Sequence, residues 1–65
     1  MDDETRARLR STLCAYIETL NRAIVLASDL NVLQPDEQYF FRMIRLRDDR
    51  ASAEEQLARL NKEAS

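Results

Sequence analysis

A single proline, Pro35, lies near the middle of a chain that contains no glycine. Its ring disfavours a helical conformation for the preceding residue and removes one backbone donor, so a helix ends here more readily than elsewhere. Proline is also accepted as the first residue of a helix, and Asp36 and Glu37 then place carboxylates at the positive end of the helix dipole. The sequence therefore predicts a helical hairpin that turns at Pro35.

The residues on both sides of the proline have the composition of a helical protein. Hydrophobic residues make up 45% and charged residues 34% of the 65 positions, which is typical of bundles and coiled coils. We expect one all-α domain whose first helix has Asp2 or Asp3 as its N-cap. The predicted elements are a first helix over about 3–31, a turn over about 32–35 and a second helix over about 35–61.

Apolar residues of the first predicted helix recur at the helical period and form a stripe. Ile17 and Ile24 lie just beside this stripe, which is wider than packing against one helix requires. Glu18 and Arg22 form an i, i+4 pair on the opposite face and mark that face as solvent. The stripe consists of Leu9, Leu13, Tyr16, Leu20, Ala23, Ala27 and Leu30.

The second predicted helix carries a stripe with the alternating spacing of four and three residues that coiled coils use. Its members are Tyr39, Met43, Leu46, Arg50, Ala53, Leu57 and Leu60. Arg50 is expected with its stem along the interface and its head at the rim, with a role in fixing register as the alternative. A further apolar strip lies beside this stripe and consists of Phe40, Ile44, Ala51 and Ala58.

A lone hairpin cannot cover both the wide stripe of the first helix and the further apolar strip of the second. A 65-residue chain buries only roughly 60% of its unfolded surface, and one cysteine with no histidine allows neither an intrachain disulfide nor a Cys/His zinc site. We expect a homodimer, with two antiparallel hairpins packed as a four-helix bundle, in which the relative direction of the two chains stays open. The expected core and dimer residues are Leu9, Leu13, Tyr16, Ile17, Leu20, Ile24, Leu30, Tyr39, Met43, Leu46, Leu57 and Leu60.

Around the turn and near the end, the sequence resembles the Rop-type RNA-binding proteins, helical hairpins that dimerise into four-helix bundles. The residues that carry the resemblance are Leu30, Asn31, Leu33, Asp36, Glu37, Gln38, Leu57, Ala58 and Arg59. The resemblance implies the same fold. The resemblance does not extend to the RNA-binding site, because that family contacts RNA with Lys, Asn, Phe, Gln and Lys along one face of helix 1. The matching positions here are Ala7, Cys14, Glu18, Arg22 and Asp29.

The turn also resembles that of small two-helix co-chaperones of type III secretion needle subunits. The resemblance is carried by Pro35, Gln38 and Tyr39, and it implies a chaperone function in a bacterial secretion system. Asp49 departs from it, since an apolar residue is expected at that position.

The sequence offers little for catalysis. It contains no histidine to act as a general base and no glycine-rich loop to bind a phosphate. The adjacent carboxylates of Asp48 and Asp49, and of Glu54 and Glu55, diverge on a helix and do not converge on one atom. Cys14 lies at the margin of the first stripe, either as a half-buried hydrophobic residue or as a redox or interchain thiol. We expect no enzyme, no cofactor and no metal site.

The charge distribution and hydropathy favour a cytoplasmic protein. The net charge is −2, with acidic and basic residues spread evenly, so binding driven by nucleic-acid phosphates is possible but not favoured. The longest apolar run, residues 23–27, is far shorter than the ~20 residues that a membrane span needs. The chain opens with Asp2, Asp3 and Glu4 where a signal peptide has basic residues.

One patch of the second helix is the best candidate for binding another protein. Two phenylalanines open this helix, and arginines flank them, a composition enriched at protein interfaces. The alternative is a solvated face in which Arg45 pairs with Asp49. The candidate residues are Phe40, Phe41, Arg42, Ile44 and Arg45.

Three functions follow from these features. The first is a small regulator, inhibitor or adaptor, of the kind encoded by bacteria or phages, that presents a rigid helical face to a protein. The second is a Rop-like RNA-binding regulator that uses Arg6, Arg10, Arg42 and Arg45. The third is a structural module that only oligomerises.

Overall fold

The computed structural model describes residues 2–64, which form two helices and no strand. Helix α1 spans Asp3–Leu33 and helix α2 spans Glu37–Ala64. The two helices lie side by side, and the molecule measures 47 × 14 × 13 Å along its principal axes. The chain is therefore an all-α helical hairpin, as predicted.

Asp2 is the residue that caps the N-terminus of α1. Its carboxylate Oδ1 accepts a hydrogen bond from the backbone N–H of Thr5 at 2.7 Å, and its carbonyl oxygen accepts from the N–H of Arg6 at 3.0 Å. Because these bonds satisfy donors that have no partner inside the helix, they fix its first turn. The hydrogen bond with Thr5 stabilises the charged carboxylate and lowers the pKa of Asp2 below its ordinary value of 3.8.

The end of α1 lies two residues beyond the predicted end, at Leu33. The N–H of Gln34 donates to the carbonyl oxygen of Leu30 at 2.8 Å and so satisfies one of the last carbonyls of the helix. Asn31 lies inside this last turn, and its side-chain oxygen accepts from the N–H of Asp36 at 3.1 Å. The helix continues past Asn31 because this side chain ties the turn together and does not end the helix.

The start of α2 lies two residues after the predicted start, at Glu37. Oδ1 of Asp36 accepts from the N–H of Gln38 at 2.9 Å, and the carbonyl oxygen of Asp36 accepts from the N–H of Tyr39 at 3.1 Å. Asp36 is therefore the capping residue, and Pro35 precedes it outside the helix. An aspartate at this position satisfies an orphaned donor, which a proline cannot do. At its other end α2 extends to Ala64, past the predicted end near residue 61.

Two side-chain hydrogen bonds between the helices fix their antiparallel register. Arg10 donates from Nε to Oδ1 of Asn61 at 3.0 Å, and Arg50 donates from Nη1 to Oδ1 of Asn21 at 2.8 Å. Eleven residues separate the two partners on each helix, which is three helical turns, so both bonds lie on the same side of the hairpin. The head of Arg50 therefore lies at the rim, where it also comes within 3.7 Å of Glu54.

The interface between the helices, which we call the seam, follows the same four-three spacing on both of them. Among residues 37–63 of α2, the seven residues that are not exposed are Tyr39, Met43, Leu46, Arg50, Ala53, Leu57 and Leu60, the positions that the spacing predicts. In α1 the buried and half-buried residues at this spacing are Arg6, Arg10, Leu13, Ile17, Leu20, Ile24, Ala27 and Asn31.

The seam of α1 lies to one side of the stripe predicted from the sequence. Ile17 and Ile24, expected beside the stripe, belong to the seam, whereas Tyr16 and Leu30 remain 47% and 44% exposed. Of the twelve predicted core and dimer residues, the structure buries Leu13, Leu20, Ile24 and Leu60 and half-buries Leu9, Ile17, Tyr39, Met43, Leu46 and Leu57. The prediction that Tyr16 and Leu30 are interior residues therefore depends on a second chain.

The core of the hairpin is thin, and its one cluster of buried residues lies near the terminal end, although Ile24 and Ala27 are also buried nearer the turn. Leu13, Ala53 and Leu60 form the buried cluster, and Leu9, Ile17 and Leu57 pack against it. No described side chain is enclosed completely, since even the best-buried residue, Ala27, keeps 3% of its surface. Two helices alone can shield only one side of each other, and this is what the burial shows.

Candidate partner-binding surface

Large apolar side chains are exposed mainly near the turn. Among residues 2–63, nine large apolar side chains are exposed; eight of them lie between residues 25 and 44, and the ninth is Tyr16. Scattered exposed apolar residues are ordinary, but several at one end of a molecule make that end a candidate for binding. The eight residues are Val25, Leu26, Leu30, Val32, Leu33, Phe40, Phe41 and Ile44.

A groove of about 600 Å³ lies along the first three turns of α2. It is lined by Gln38, Phe41, Arg42, Ile44, Arg45 and Asp48, and we call it the Phe41 groove. Four of these residues lie three and four positions apart, which brings them onto one side of the helix. The groove contains four of the five residues that the sequence predicts for partner binding.

The fifth predicted residue, Phe40, lies on a different surface beside the turn. It lines a smaller groove of about 390 Å³ together with Asn31, Pro35, Asp36 and Glu37. The rings of Phe40 and Phe41 still touch edge to face, with their centroids 5.9 Å apart and their planes at 66°. This geometry is favourable for an aromatic pair. Phe40 therefore supports Phe41 from the side and does not line the same groove.

The arginines of the Phe41 groove have no carboxylate partner among residues 2–64. Both Arg42 and Arg45 are exposed, and the predicted pair between Arg45 and Asp49 is not among the ion pairs that form. The equivalent pair further along α2, Arg59 with Glu55, does form at 3.3 Å. Within the described chain, the two guanidinium groups are therefore available to an acidic ligand.

The remaining predicted arginines lie at the other end of the hairpin. Arg6 is half-buried and comes within 3.9 Å of Asp3, while Arg10 donates to Asn61. From the helix register, Arg10 and Arg42 are about 28.5 Å apart along the hairpin axis, at 1.5 Å per residue. The four arginines proposed for RNA binding thus form two separate groups.

Sequence reasoning did not find Gln38 and Asp48 as lining residues of the groove. A signal was present, because residues 38, 41, 45 and 48 repeat the three-four spacing that places side chains on one helical face. The predicted patch was chosen from apolar and basic residues, so it does not include the polar Gln38 or the acidic Asp48 that border them.

The thiol of Cys14 is free and the residue is exposed, so it is not the half-buried residue that the sequence favours. Among residues 2–64, no cluster of three or more Cys, Asp or Glu side chains has the arrangement of a metal site. Neither described helix has a stretch long and apolar enough to cross a bilayer. The surface is thus suited to contacts through shape, apolar area and charge.

The chain was compared with models of protein families, with curated proteins and with solved structures. None of the three comparisons gave a match, so the candidate surface is defined by its own geometry.

Proposed function

We propose that the protein is a small non-enzymatic regulator, inhibitor or adaptor that binds another protein through the Phe41 groove. The observation that carries the proposal is Phe41 itself, which is 62% exposed and is flanked by two arginines without a carboxylate partner among the described residues. Aromatic residues and arginine are both enriched at protein interfaces relative to the rest of the surface. Regulation would then act by occlusion of the surface that the partner presents.

The chemistry of the groove indicates the kind of segment that it binds. Phe41 and Ile44 provide apolar area, while Arg42 and Arg45 provide two charges of the same sign on one helical face. An amphipathic helix with an apolar anchor and carboxylates one turn apart would match both features. We infer that the partner presents such an acidic, amphipathic segment.

We also propose that two hairpins associate into a four-helix bundle. The support comes from the thin core, in which no described side chain is fully enclosed, and from the exposed apolar residues of α1. A chain of this size gains most of its missing apolar burial by dimerisation. The bundle would give the Phe41 groove a rigid support and would present two copies of it.

The test is binding of the partner by wild-type protein and by Phe41→Ala. Since Phe41 is exposed, its truncation should leave the hairpin folded and should lower affinity by roughly ten-fold or more, the effect of losing a hot-spot residue of about 1.4 kcal/mol or more. Val32→Ala is the matched control, because Val32 is 77% exposed but does not line the Phe41 groove. Equal loss in both variants would contradict the proposal.

The salt dependence of the same binding reaction separates the alternatives. A Rop-like RNA-binding regulator should lose affinity steeply as salt rises, since each neutralised phosphate releases counterions. A protein interface centred on Phe41 should lose much less. A chain that only oligomerises would bind no ligand under either condition. A co-chaperone of a bacterial secretion system would be one form of the protein-binding function.

A further inference from the structure

Helix α1 carries a second stripe with coiled-coil spacing that α2 does not cover. Its members follow each other by three and four residues, alternately, along almost the whole helix. All of them are uncharged, although eight acidic and basic residues occur elsewhere in α1. We call this set the second stripe, and it consists of Leu9, Thr12, Tyr16, Thr19, Ala23, Leu26, Leu30 and Leu33.

The second stripe is the exposed flank of the seam. Leu9 and Ala23 are half-buried at its border with α2, whereas Tyr16, Leu26 and Leu30 are 47%, 56% and 44% exposed. Because a helix that packs against one neighbour needs one such repeat, two repeats indicate two helical neighbours. One neighbour of α1 is α2, and the other is not present in the single chain.

The polar groups of the second stripe are compatible with burial. The hydroxyl of Thr19 donates to the carbonyl oxygen of Ala15 at 2.9 Å, so its donor is satisfied inside α1 and its methyl group can contact another helix. No charge would have to leave water when this surface is covered. The second stripe therefore has the character of a helix–helix interface and not of a solvated face.

The order of side-chain sizes along the second stripe identifies a second copy of α1 as the neighbour. If two such helices run antiparallel about a two-fold axis at Thr19, the large Tyr16 lies opposite the small Ala23 of the partner subunit. A parallel pair would set tyrosine against tyrosine and alanine against alanine, which leaves a clash and a gap. The antiparallel pairs are Leu9 with Leu30, Thr12 with Leu26, Tyr16 with Ala23 and Thr19 with Thr19.

We propose that the second stripe is the surface through which two copies of this chain dimerise, with α1 antiparallel to α1 of the partner subunit. This inference rests on the proposed dimer and adds its contact surface and direction. A two-fold contact requires a self-complementary surface, and the second stripe is one. The corresponding flank of α2 contains Arg42, Asp49, Gln56 and Glu63, so the apolar contact runs through α1 and the α2 helices contribute only a polar rim. Arg42 borders both this rim and the Phe41 groove, whose apolar residues Phe41 and Ile44 lie outside the contact.

Disulfide trapping in a Cys14→Ser background tests the contact directly. Thr19→Cys places a thiol on the proposed two-fold axis, and Glu18→Cys, about 100° round α1 from Thr19 and outside the second stripe, is the matched control. Both positions are exposed, so both variants should fold. Under a mild oxidant such as copper phenanthroline, Thr19→Cys should form a covalent dimer roughly ten-fold or more faster than Glu18→Cys, because only its thiols come within bonding range.

A mixture of two further variants tests the direction of the helices. Thr12→Cys mixed with Leu26→Cys should give the mixed dimer as the main product, while each variant alone should react slowly. Self-linking of each variant in preference to the mixed product would overturn the antiparallel arrangement.

The outcomes distinguish this inference from the proposed dimer itself. If the Cys14→Ser protein sediments as a dimer but Thr19→Cys links no faster than Glu18→Cys, the second stripe is not the interface, although the dimer exists. If the Cys14→Ser and wild-type proteins both sediment as monomers throughout, the dimer fails and this inference fails with it. Ala23→Glu should shift the protein to the monomer, whereas Phe41→Ala should leave the dimer unchanged. An Ala23→Glu protein that remains dimeric would overturn the inference.

Discussion

The two halves of the hairpin bury their apolar side chains to different extents. The terminal half, residues 2–20 with 50–64, contains the buried cluster of Leu13, Ala53 and Leu60 and a single large exposed apolar residue, Tyr16. The turn half, residues 21–49, contains the other eight large exposed apolar residues. The terminal half thus contains most of the core, while the turn half leaves most of the large apolar residues exposed.

This difference does not arise from a looser turn. The turn is fixed by the hydrogen bonds of Asn31 and Asp36, and no described residue has a positive φ angle. The apolar residues of the turn half are exposed because they lie on flanks that the opposite helix does not reach. A well-ordered end of a hairpin can therefore keep a large exposed apolar surface when most of the core lies at the other end.

The largest effect should follow from truncation of the terminal core. Leu13→Ala removes a side chain that is only 7% exposed from the central cluster and should lower the free energy of unfolding by about 2–3 kcal/mol. Val32→Ala, an apolar truncation in the turn half at a residue 77% exposed, should change it by less than about 0.5 kcal/mol. Urea unfolding followed by circular dichroism at one protein concentration measures both, and equal losses would remove the distinction between the halves.

A smaller effect is expected when the side-chain tie across the turn is lost. Asn31→Ala leaves the N–H of Asp36 without its acceptor and should cost about 1 kcal/mol of unfolding free energy. Asn31→Asp keeps an acceptor oxygen, although its negative charge is unfavourable near the C-terminal end of α1. It should therefore lower the unfolding free energy by less than Asn31→Ala does. An Asn31→Ala protein as stable as wild type would show that the capping bonds of α2 alone hold the turn.

The two interhelical arginine–asparagine bonds allow the halves to be compared with one chemistry. A double-mutant cycle of Asn21→Ala and Arg50→Ala should give a coupling energy of about 0.5 kcal/mol, because solvent weakens bonds between partly exposed side chains. The cycle of Arg10→Ala and Asn61→Ala should give a similar value, since that bond has similar length. A coupling at one pair alone would show that the register is fixed from that end.

The smallest effect concerns Asp2, whose folded-state pKa is lowered from 3.8 by its hydrogen bond with Thr5. Its contribution to stability is therefore fully present above the unfolded pKa and is lost as the pH falls through the lower folded pKa. Asp2→Asn keeps an acceptor oxygen that does not titrate. The difference in thermal midpoint between the two proteins should be constant near neutral pH and should change only below about pH 4. A difference that changes between pH 5 and pH 7 would contradict this assignment.

The sequence predicts the seam of α2 more accurately than that of α1, for a physical reason. α2 has one dominant four-three repeat, and its seven members are the residues that are not exposed between Glu37 and Glu63. α1 has two overlapping repeats, and a stripe drawn through all of its apolar residues combines them. Leu13, Leu20 and Ala27 belong to the seam, whereas Tyr16 and Leu30 belong to the second stripe, so the predicted stripe lay between the two.

The turn and the groove show where sequence reasoning reaches its limit. Pro35 locates the turn correctly, but proline and aspartate compete for the start of α2, and Asp36 prevails because its side chain caps Gln38. The Phe41 groove follows from the apolar and basic residues, while its separation from Phe40 depends on how neighbouring side chains point around the helix. The 100° between adjacent helical residues separates Phe40 from Phe41, but a patch chosen by composition alone groups them.

Sedimentation velocity of the wild-type protein, combined with circular dichroism over the same dilution series, tests the central claim most directly. The claim is that the hairpin completes its core only with a second copy. We predict a species with twice the 7.6 kDa of one chain at micromolar concentration, which loses mass and helicity together on dilution toward nanomolar concentration. A 7.6 kDa species that keeps its full helicity across the series would contradict the claim.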